Sequence, residues 1–157
     1  MADTIKKLTI EGFKSIRKLE DFELGPLNVL IGANGAGKSN FVGFLRLLRE
    51  LVSGRLQLEV QKTEGGADGT LYLGPKVTER LAGKIDFGGK TYEFALAPTP
   101  SSGFVFSNEA IRFSEEGSEL PIPLGAGHVE TNLGIPREGR PPTRGLLDAI
   151  STLAVYH

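Results

Sequence analysis

The chain has 157 residues, with 21 glycines, 9 prolines and no cysteine, and its 18 basic and 19 acidic side chains leave a formal net charge of -1. This length suffices for one domain without disulfides, and the absence of cysteine excludes thiol catalysis and cysteine-ligated zinc. The balanced charge argues against a strongly basic nucleic-acid or membrane binder, and no apolar run approaches the ~20 residues of a membrane span, so we expect a cytoplasmic protein.

Alternating apolar residues near the start predict two half-buried strands. Leu8 and Ile10 alternate with polar residues in the first strand, and Phe22 and Leu24 do so in the second. The apolar run at residues 27–31 is almost continuous, which is typical of a strand covered on both faces. We therefore expect residues 27–31 at the centre of a parallel sheet.

A helical pattern begins at residue 38. Its apolar residues recur at spacings of three and four with charged residues opposite, which predicts an amphipathic helix of about four turns. These apolar residues are Phe41, Phe44, Leu45, Leu48, Leu51 and Val52. Gly54 suits a C-terminal cap. Residues 55–62 fit either helix or strand, and the glycine-rich residues 64–69 predict a loop.

The second half predicts an antiparallel meander over residues 76–114. Gly88-Gly89 suits a two-residue hairpin loop, because both positions tolerate positive φ. We expect a single domain over residues 1–157, in which the first two strands, the apolar run and the helix occupy residues 1–53. The remaining segments are a loop-rich segment at 115–144, and a short helix with a terminal strand at 145–157.

Residues 32–39, Gly-Ala-Asn-Gly-Ala-Gly-Lys-Ser, match the phosphate-binding loop pattern G-x-x-x-x-G-K-[ST] at every fixed position. The glycines let backbone N–H groups converge on a β-phosphate, Lys38 places a cation against the β- and γ-phosphates, and the Ser39 hydroxyl can ligate Mg²⁺. A chance match has a probability of about 1% at these residue frequencies, so phosphate binding is favoured over a simple glycine-rich turn.

Hydrolysis also requires an acidic residue at a strand end to hold Mg²⁺. No run of four apolar residues precedes an aspartate in this sequence. Asp86 and Asp148 follow shorter apolar runs, and both are typical of solvated surface acids. We therefore expect the catalytic acid to lie outside this chain, which leaves open whether the chain alone is an enzyme.

With the Gly-Phe-Lys-Ser-Ile element at residues 12–16 upstream and Asn40 directly after it, the loop resembles the N-terminal lobe of ABC-type ATPases of the RecF, SMC and OLD-like group. Residues 65–68, 73–76, 92–98 and 155–157 resemble bacterial predicted ATPases described as RecF-like AAA ATPases. The resemblance implies an α/β P-loop NTPase fold, an ABC/SMC-head-like N-terminal lobe with an antiparallel β meander packed beside the P-loop strand and helix.

The resemblance also implies function. ATP and Mg²⁺ are the implied cofactors, with Lys38 in the catalytic role, Ser39 as the metal ligand, and Lys14 and Ser15 near the nucleotide. The implied nucleotide-binding residues are Gly32, Ala33, Asn34, Gly35, Ala36, Gly37, Lys38, Ser39 and Asn40. Hydrolysis then requires a C-terminal lobe, which supplies the signature loop, the Asp-Glu strand and a switch histidine, and before which this chain stops. A second head completes an ATP sandwich, so the implied assembly is a homodimer.

The implied setting is DNA repair or recombination, with DNA as a partner by analogy. An alternative is a non-hydrolytic nucleotide-sensing or interaction module, for example in phage defence. A P-loop kinase ranks third, because an antiparallel meander after the first helix argues against it.

We expect structural rather than functional roles for several other residues. We expect His128 at the surface, and we expect the phenylalanines from residue 87 to 113 in the core rather than in a base-stacking platform. The basic residues near the start favour a solvated strand edge over a DNA contact; they are Lys6, Lys7, Lys14, Arg17 and Lys18. Gln57 and Gln61 follow the helix too soon to act as the magnesium-ligating glutamine of such heads.

Overall fold

A computed structural model describes residues 3–114, 120–139 and 142–153. Within these ranges the chain forms one antiparallel sheet flanked by helices. The strands are β1 (Lys7–Phe13), β2 (Ile16–Glu23), β3 (Leu81–Asp86), β4 (Lys90–Pro98), β5 (Phe104–Phe113) and β6 (Ile122–Gly125). The helices are α1 (Lys38–Val52), α2 (Leu56–Gln61), α3 (Gly66–Thr70) and α4 (Arg144–Ser151). The strand order is β2-β1-β3-β4-β5-β6.

The two predicted N-terminal strands are confirmed as β1 and β2, which form a hairpin with Phe13 opposite Ile16. Leu8 and Ile10 are fully buried, as their alternation predicts. Gly12 then adopts a φ of 76°. This left-handed residue interrupts the alternation, so that Ile10 and Phe13 are buried in the same core although they lie three positions apart.

The predicted meander is confirmed as β3, β4 and β5, and β1 pairs with β3 to join it to the first hairpin. Gly88 and Gly89 form the β3–β4 loop with φ values of 76° and 131°. The phenylalanines of this region are core residues, as predicted: Phe87, Phe94, Phe104 and Phe106 are buried and Phe113 is partly buried.

Helix α1 confirms the amphipathic pattern. Phe44, Leu48 and Leu51 have no solvent exposure, and Phe41 is also buried. Gly54 follows the C-cap with a φ of 69°, which is the left-handed conformation expected there. Helices α2 and α4 both contact α1, so the ambiguous residues 55–62 and the predicted short helix near residue 145 are both helical.

Three predictions of local structure were wrong or fall outside the described ranges. Residues 64–69 were predicted as loop, but α3 begins at Gly66 because its turn is closed by hydrogen bonds within the glycine-rich stretch. The loop-rich segment contains β6, which extends the sheet beside β5. Most of the predicted terminal strand at 153–156 lies outside the described residues, as do residues 115–119 and 140–141 of the loop-rich segment.

The central parallel strand predicted at residues 27–31 was also wrong. No strand occurs between β2 and α1, and Leu27 and Ile31 are 84% and 91% exposed. A buried strand requires neighbours on both edges and both faces, and the described sheet is antiparallel and passes from β2 to β1 without this segment. The apolar run therefore lies on the surface, directly before the phosphate-binding loop.

No helix in the described ranges is long and apolar enough to cross a membrane.

Candidate phosphate-binding site

The glycine-rich loop enters α1 through two left-handed residues. Gly35 and Gly37 have φ values of 85° and 92°, and Gly37 is the N-cap of α1. Residues with a Cβ rarely adopt this conformation, which explains the glycines. No described side chain caps the helix, so the first N–H groups and the positive end of the helix dipole remain directed at the loop.

The Lys38 side chain bonds back to the start of the loop. Its Nζ donates hydrogen bonds to the carbonyl of Ala33 at 2.8 Å and to the carbonyl of Gly32. A Cβ on Gly32 would lie 3.7 Å from this Nζ and 3.3 Å from the Cβ of Ala36. A side chain at position 32 would therefore crowd Ala36, whereas its contact with the ammonium group would be an ordinary one. The structure thus brings Lys38 together with the backbone of the loop that the sequence assigns to phosphate.

The loop is open to solvent. Residues 32–36 are all exposed, as is Ser39 in the first turn of α1. An exposed hydroxyl at this position fits Mg²⁺ only as one ligand among several, and Mg²⁺ usually completes its shell with phosphate oxygens and water. The described residues contain no cluster of three His, Cys, Asp or Glu side chains that would hold a metal without a nucleotide.

The β1–β2 turn reaches the same loop. Asn40 Nδ2 donates to Ser15 Oγ at 2.6 Å, and a Cβ on Gly37 would lie 3.3 Å from that oxygen. Lys14, the other turn residue, places its Nζ 5.6 Å from the centre of the Phe13 ring. Ser15 is therefore in contact with the phosphate-binding loop, whereas the Lys14 side chain lies over an aromatic ring.

The two candidate magnesium acids have other roles. Asp86 Oδ1 accepts a hydrogen bond from the backbone N–H of Gly88 at 2.6 Å, which stabilises the β3–β4 turn. Asp148 lies on α4 with its side chain 68% exposed, 3.9 Å from Arg144. Gln57 is also structural, because its amide bonds the backbone of Phe104 and of Val129.

Two of the basic residues near the start are paired with acids on the same sheet. Lys7 lies 3.7 Å from Glu23, and Lys18 lies 3.0 Å from Glu20. The hydrogen bond to Glu20 raises the pKa of Lys18 above its usual value. This pairing is consistent with the predicted solvated strand edge.

The prediction of a surface histidine at position 128 was wrong. The His128 side chain is only 17% exposed, its ring stacks on Phe106 at 4.6 Å, and its Nε2 lies 2.7 Å from Oε2 of Glu109. Glu109 is fully buried, and sequence analysis missed it. The available signal was its position two residues before Ile111, on the inward face of a strand, where a carboxylate requires hydrogen-bond partners.

A family model described as an AAA domain matches residues 7–48. The matched stretch contains β1, β2, the glycine-rich loop and most of α1, which are the elements that meet at Ser15 and Asn40. The match supports an AAA-type, ATPase-like region and is consistent with a P-loop NTPase that binds nucleotide. Searches among curated proteins and among solved structures found no similar chain.

Proposed function

We propose that this chain binds ATP with Mg²⁺ through residues 32–40, as the N-terminal lobe of an ATPase of the RecF, SMC and OLD-like group. One observation carries the proposal: the Lys38 ammonium group lies inside a glycine arch at the uncapped N-terminus of α1. A polyanion would be attracted there by the ammonium charge, the backbone N–H groups and the helix dipole together.

The fixed residues of the loop pattern have three roles in the proposal. Lys38 exchanges its carbonyl partners for β- and γ-phosphate oxygens, which are stronger acceptors because they are charged. Gly32 and Gly37 let the backbone approach the phosphates. The Ser39 hydroxyl is a ligand for Mg²⁺, which when bound neutralises charge on the β- and γ-phosphates.

The proposal extends to hydrolysis after a C-terminal lobe and a second head complete the site. The exposed apolar run at residues 27–31 supports this step. Leu27, Val29 and Ile31 are 84%, 72% and 91% exposed, and no described residue pairs with the backbone of the run. A segment of this composition beside a phosphate-binding loop suits coverage by further strands and helices. Homodimerisation through an ATP sandwich, contact with DNA and a role in DNA repair or recombination stay predictions from the resemblance.

The alternative is a module that binds nucleotide without turnover. It is favoured by the positions of Asp86 and Asp148, since the first serves a hairpin turn and the second is an exposed acid on α4. A measurement of ATP hydrolysis distinguishes the two functions. It compares this chain alone with a chain that includes any polypeptide encoded after residue 157. If neither chain hydrolyses ATP although this chain binds it, the two-lobe proposal is overturned and the binding module stands. Equal hydrolysis by both chains would overturn both functions.

Lys38→Ala tests nucleotide binding itself. Loss of the charge-assisted contacts should weaken MgATP affinity by about ten- to a hundredfold in isothermal titration calorimetry. Lys62→Ala is the matched control, because Lys62 is a 63% exposed lysine that pairs with Glu59 on α2. Equal affinity of Lys38→Ala and the unmodified chain would show that residues 32–39 are not a nucleotide site.

A further inference from the structure

The β1–β2 turn is a rigid support beside the phosphate-binding loop. Phe13 is 2% exposed, and its ring lies 5.4 Å from that of Phe44 in α1. The next residue, Lys14, donates its backbone N–H to the carbonyl of Thr70 at 2.9 Å. The turn is thus held by the core on one side and by α3 on the other, so the position of Ser15 is determined by packing away from the loop.

Ser15 lies beside both ends of the turn that begins α1. Its Oγ accepts the hydrogen bond from Asn40 Nδ2 at 2.6 Å and would lie 3.3 Å from a Cβ at Gly37. The backbone N–H of Asn40 donates to the carbonyl of Gly37 at 3.1 Å, which closes the turn. The residues between these two ends are Lys38 and Ser39, whose N–H groups and side chains would face the phosphates.

We propose that Ser15 is a positioning residue for nucleotide binding: through Asn40 it holds residues 37–40 in the shape that receives the phosphates. The inference rests on the proposed function. A preordered turn loses less conformational freedom when the phosphates bind, and the gain appears as affinity. The hydroxyl of Ser15 is the required group, because it is the acceptor that Asn40 uses.

A double-mutant cycle tests the contact. Isothermal titration with MgATP is carried out on Ser15→Ala, Asn40→Ala and the double variant. Each single change should weaken binding about three- to tenfold, the effect of one neutral hydrogen bond. The double variant should bind MgATP about as tightly as the single variant with the lower affinity, because both changes remove the same interaction.

Two further variants separate positioning from general structure. Ser15→Thr retains the hydroxyl and should bind within about twofold of the unmodified chain. Ser53→Ala is the matched control, because Ser53 Oγ donates to the carbonyl of Arg49 at the opposite end of α1; it should leave MgATP affinity unchanged. Thermal unfolding of all variants shows that each is folded, and if Ser15→Ala is not, Ser15→Cys replaces it, since a thiol is a weak acceptor of similar size.

The outcomes distinguish the two proposals. If Lys38→Ala weakens binding but Ser15→Ala does not, or if the effects of Ser15→Ala and Asn40→Ala multiply in the double variant, the positioning role is overturned and the nucleotide site stands. If Lys38→Ala also binds normally, the proposed function itself fails. If Ser15→Thr loses as much MgATP affinity as Ser15→Ala, the role of the hydroxyl is likewise overturned.

Discussion

Nε2 of His128 lies 2.7 Å from Oε2 of Glu109, a carboxylate that solvent does not reach. The same Oε2 accepts the backbone N–H of Asn132 at 3.0 Å. The other oxygen, Oε1, accepts the hydroxyl of Tyr92 at 2.7 Å and that of Thr131. Four partners on two segments, β4 and the chain that follows β6, therefore share one buried carboxylate of β5, which joins the three segments.

Glu109→Gln should destabilise the fold by about 2–4 kcal/mol, because one side-chain oxygen becomes an amide nitrogen that cannot accept and two buried partners are left facing it. Urea unfolding at about pH 7 measures the change in the free energy of unfolding. Glu23→Gln is the matched control, since the Glu23 side chain is 82% exposed, and it should change stability by less than about 0.5 kcal/mol. Equal effects of the two substitutions would contradict the buried cluster.

Tyr92 should make the fold sensitive to alkaline pH. Burial, with a further contribution from the Glu109 charge, raises the pKa of Tyr92 well above its usual value. The unfolded chain loses this proton near pH 10 whereas the folded chain retains it, so the free energy of unfolding decreases as the pH rises above about 10. At about pH 7, Tyr92→Phe should cost roughly 1.5–3 kcal/mol through the lost bond to a charged acceptor.

The difference in the free energy of unfolding between the unmodified chain and Tyr92→Phe should then narrow between about pH 9 and pH 11. Phenylalanine does not titrate, so the variant escapes the loss of stability that Tyr92 causes there. Urea unfolding of both proteins across this range provides the comparison. Parallel stability curves for the two proteins would show that Tyr92 ionises equally in the folded and unfolded states.

Gly12→Ala should lower the free energy of unfolding more than Gly54→Ala does. Gly12 has a φ of 76°, and a Cβ there would lie 2.5 Å from the carbonyl oxygen of Arg80. Gly54 has a similar φ of 69° with open space around it. Gly54→Ala should therefore cost only the left-handed backbone penalty of about 1–2 kcal/mol, and Gly12→Ala should cost at least ~2 kcal/mol more because β1 and the start of β3 must separate. Denaturant unfolding of both variants compares them, and similar losses would show that Arg80 can move aside freely.

The elements that could be predicted from sequence are those whose burial follows a simple period. Leu8 and Ile10 alternate on β1, and Phe44, Leu48 and Leu51 follow the helical repeat of α1, so one-sided burial is visible in both. The phosphate-binding loop is a prediction of a different kind, because its pattern prescribes backbone geometry and charge at fixed positions. Two of its three glycines, Gly35 and Gly37, adopt left-handed conformations.

The features that could not be predicted depend on distant residues. The partners of Glu109 come from positions 92, 128, 131 and 132, so the strand pattern around Ile111 indicates an inward position for Glu109 but does not reveal the groups that bond its carboxylate. Contact between Ser15 and Asn40 likewise depends on how the β1–β2 turn packs against α1. The predicted strand at residues 27–31 was wrong for a different reason. The composition of this run suits a buried strand, but composition does not supply the neighbouring strands.

Ile31→Ala and Ile10→Ala compare these two kinds of apolar residue. Ile10 has no solvent exposure, so its truncation should cost about 2–5 kcal/mol from lost burial and a cavity. Ile31 is 91% exposed, so its truncation should change the free energy of unfolding by less than about 0.5 kcal/mol. Both values come from urea unfolding of the chain alone. A large loss for Ile31→Ala would place Ile31 in the core, as the sequence pattern predicts, whereas a negligible loss would show that the Ile31 side chain does not stabilise this fold.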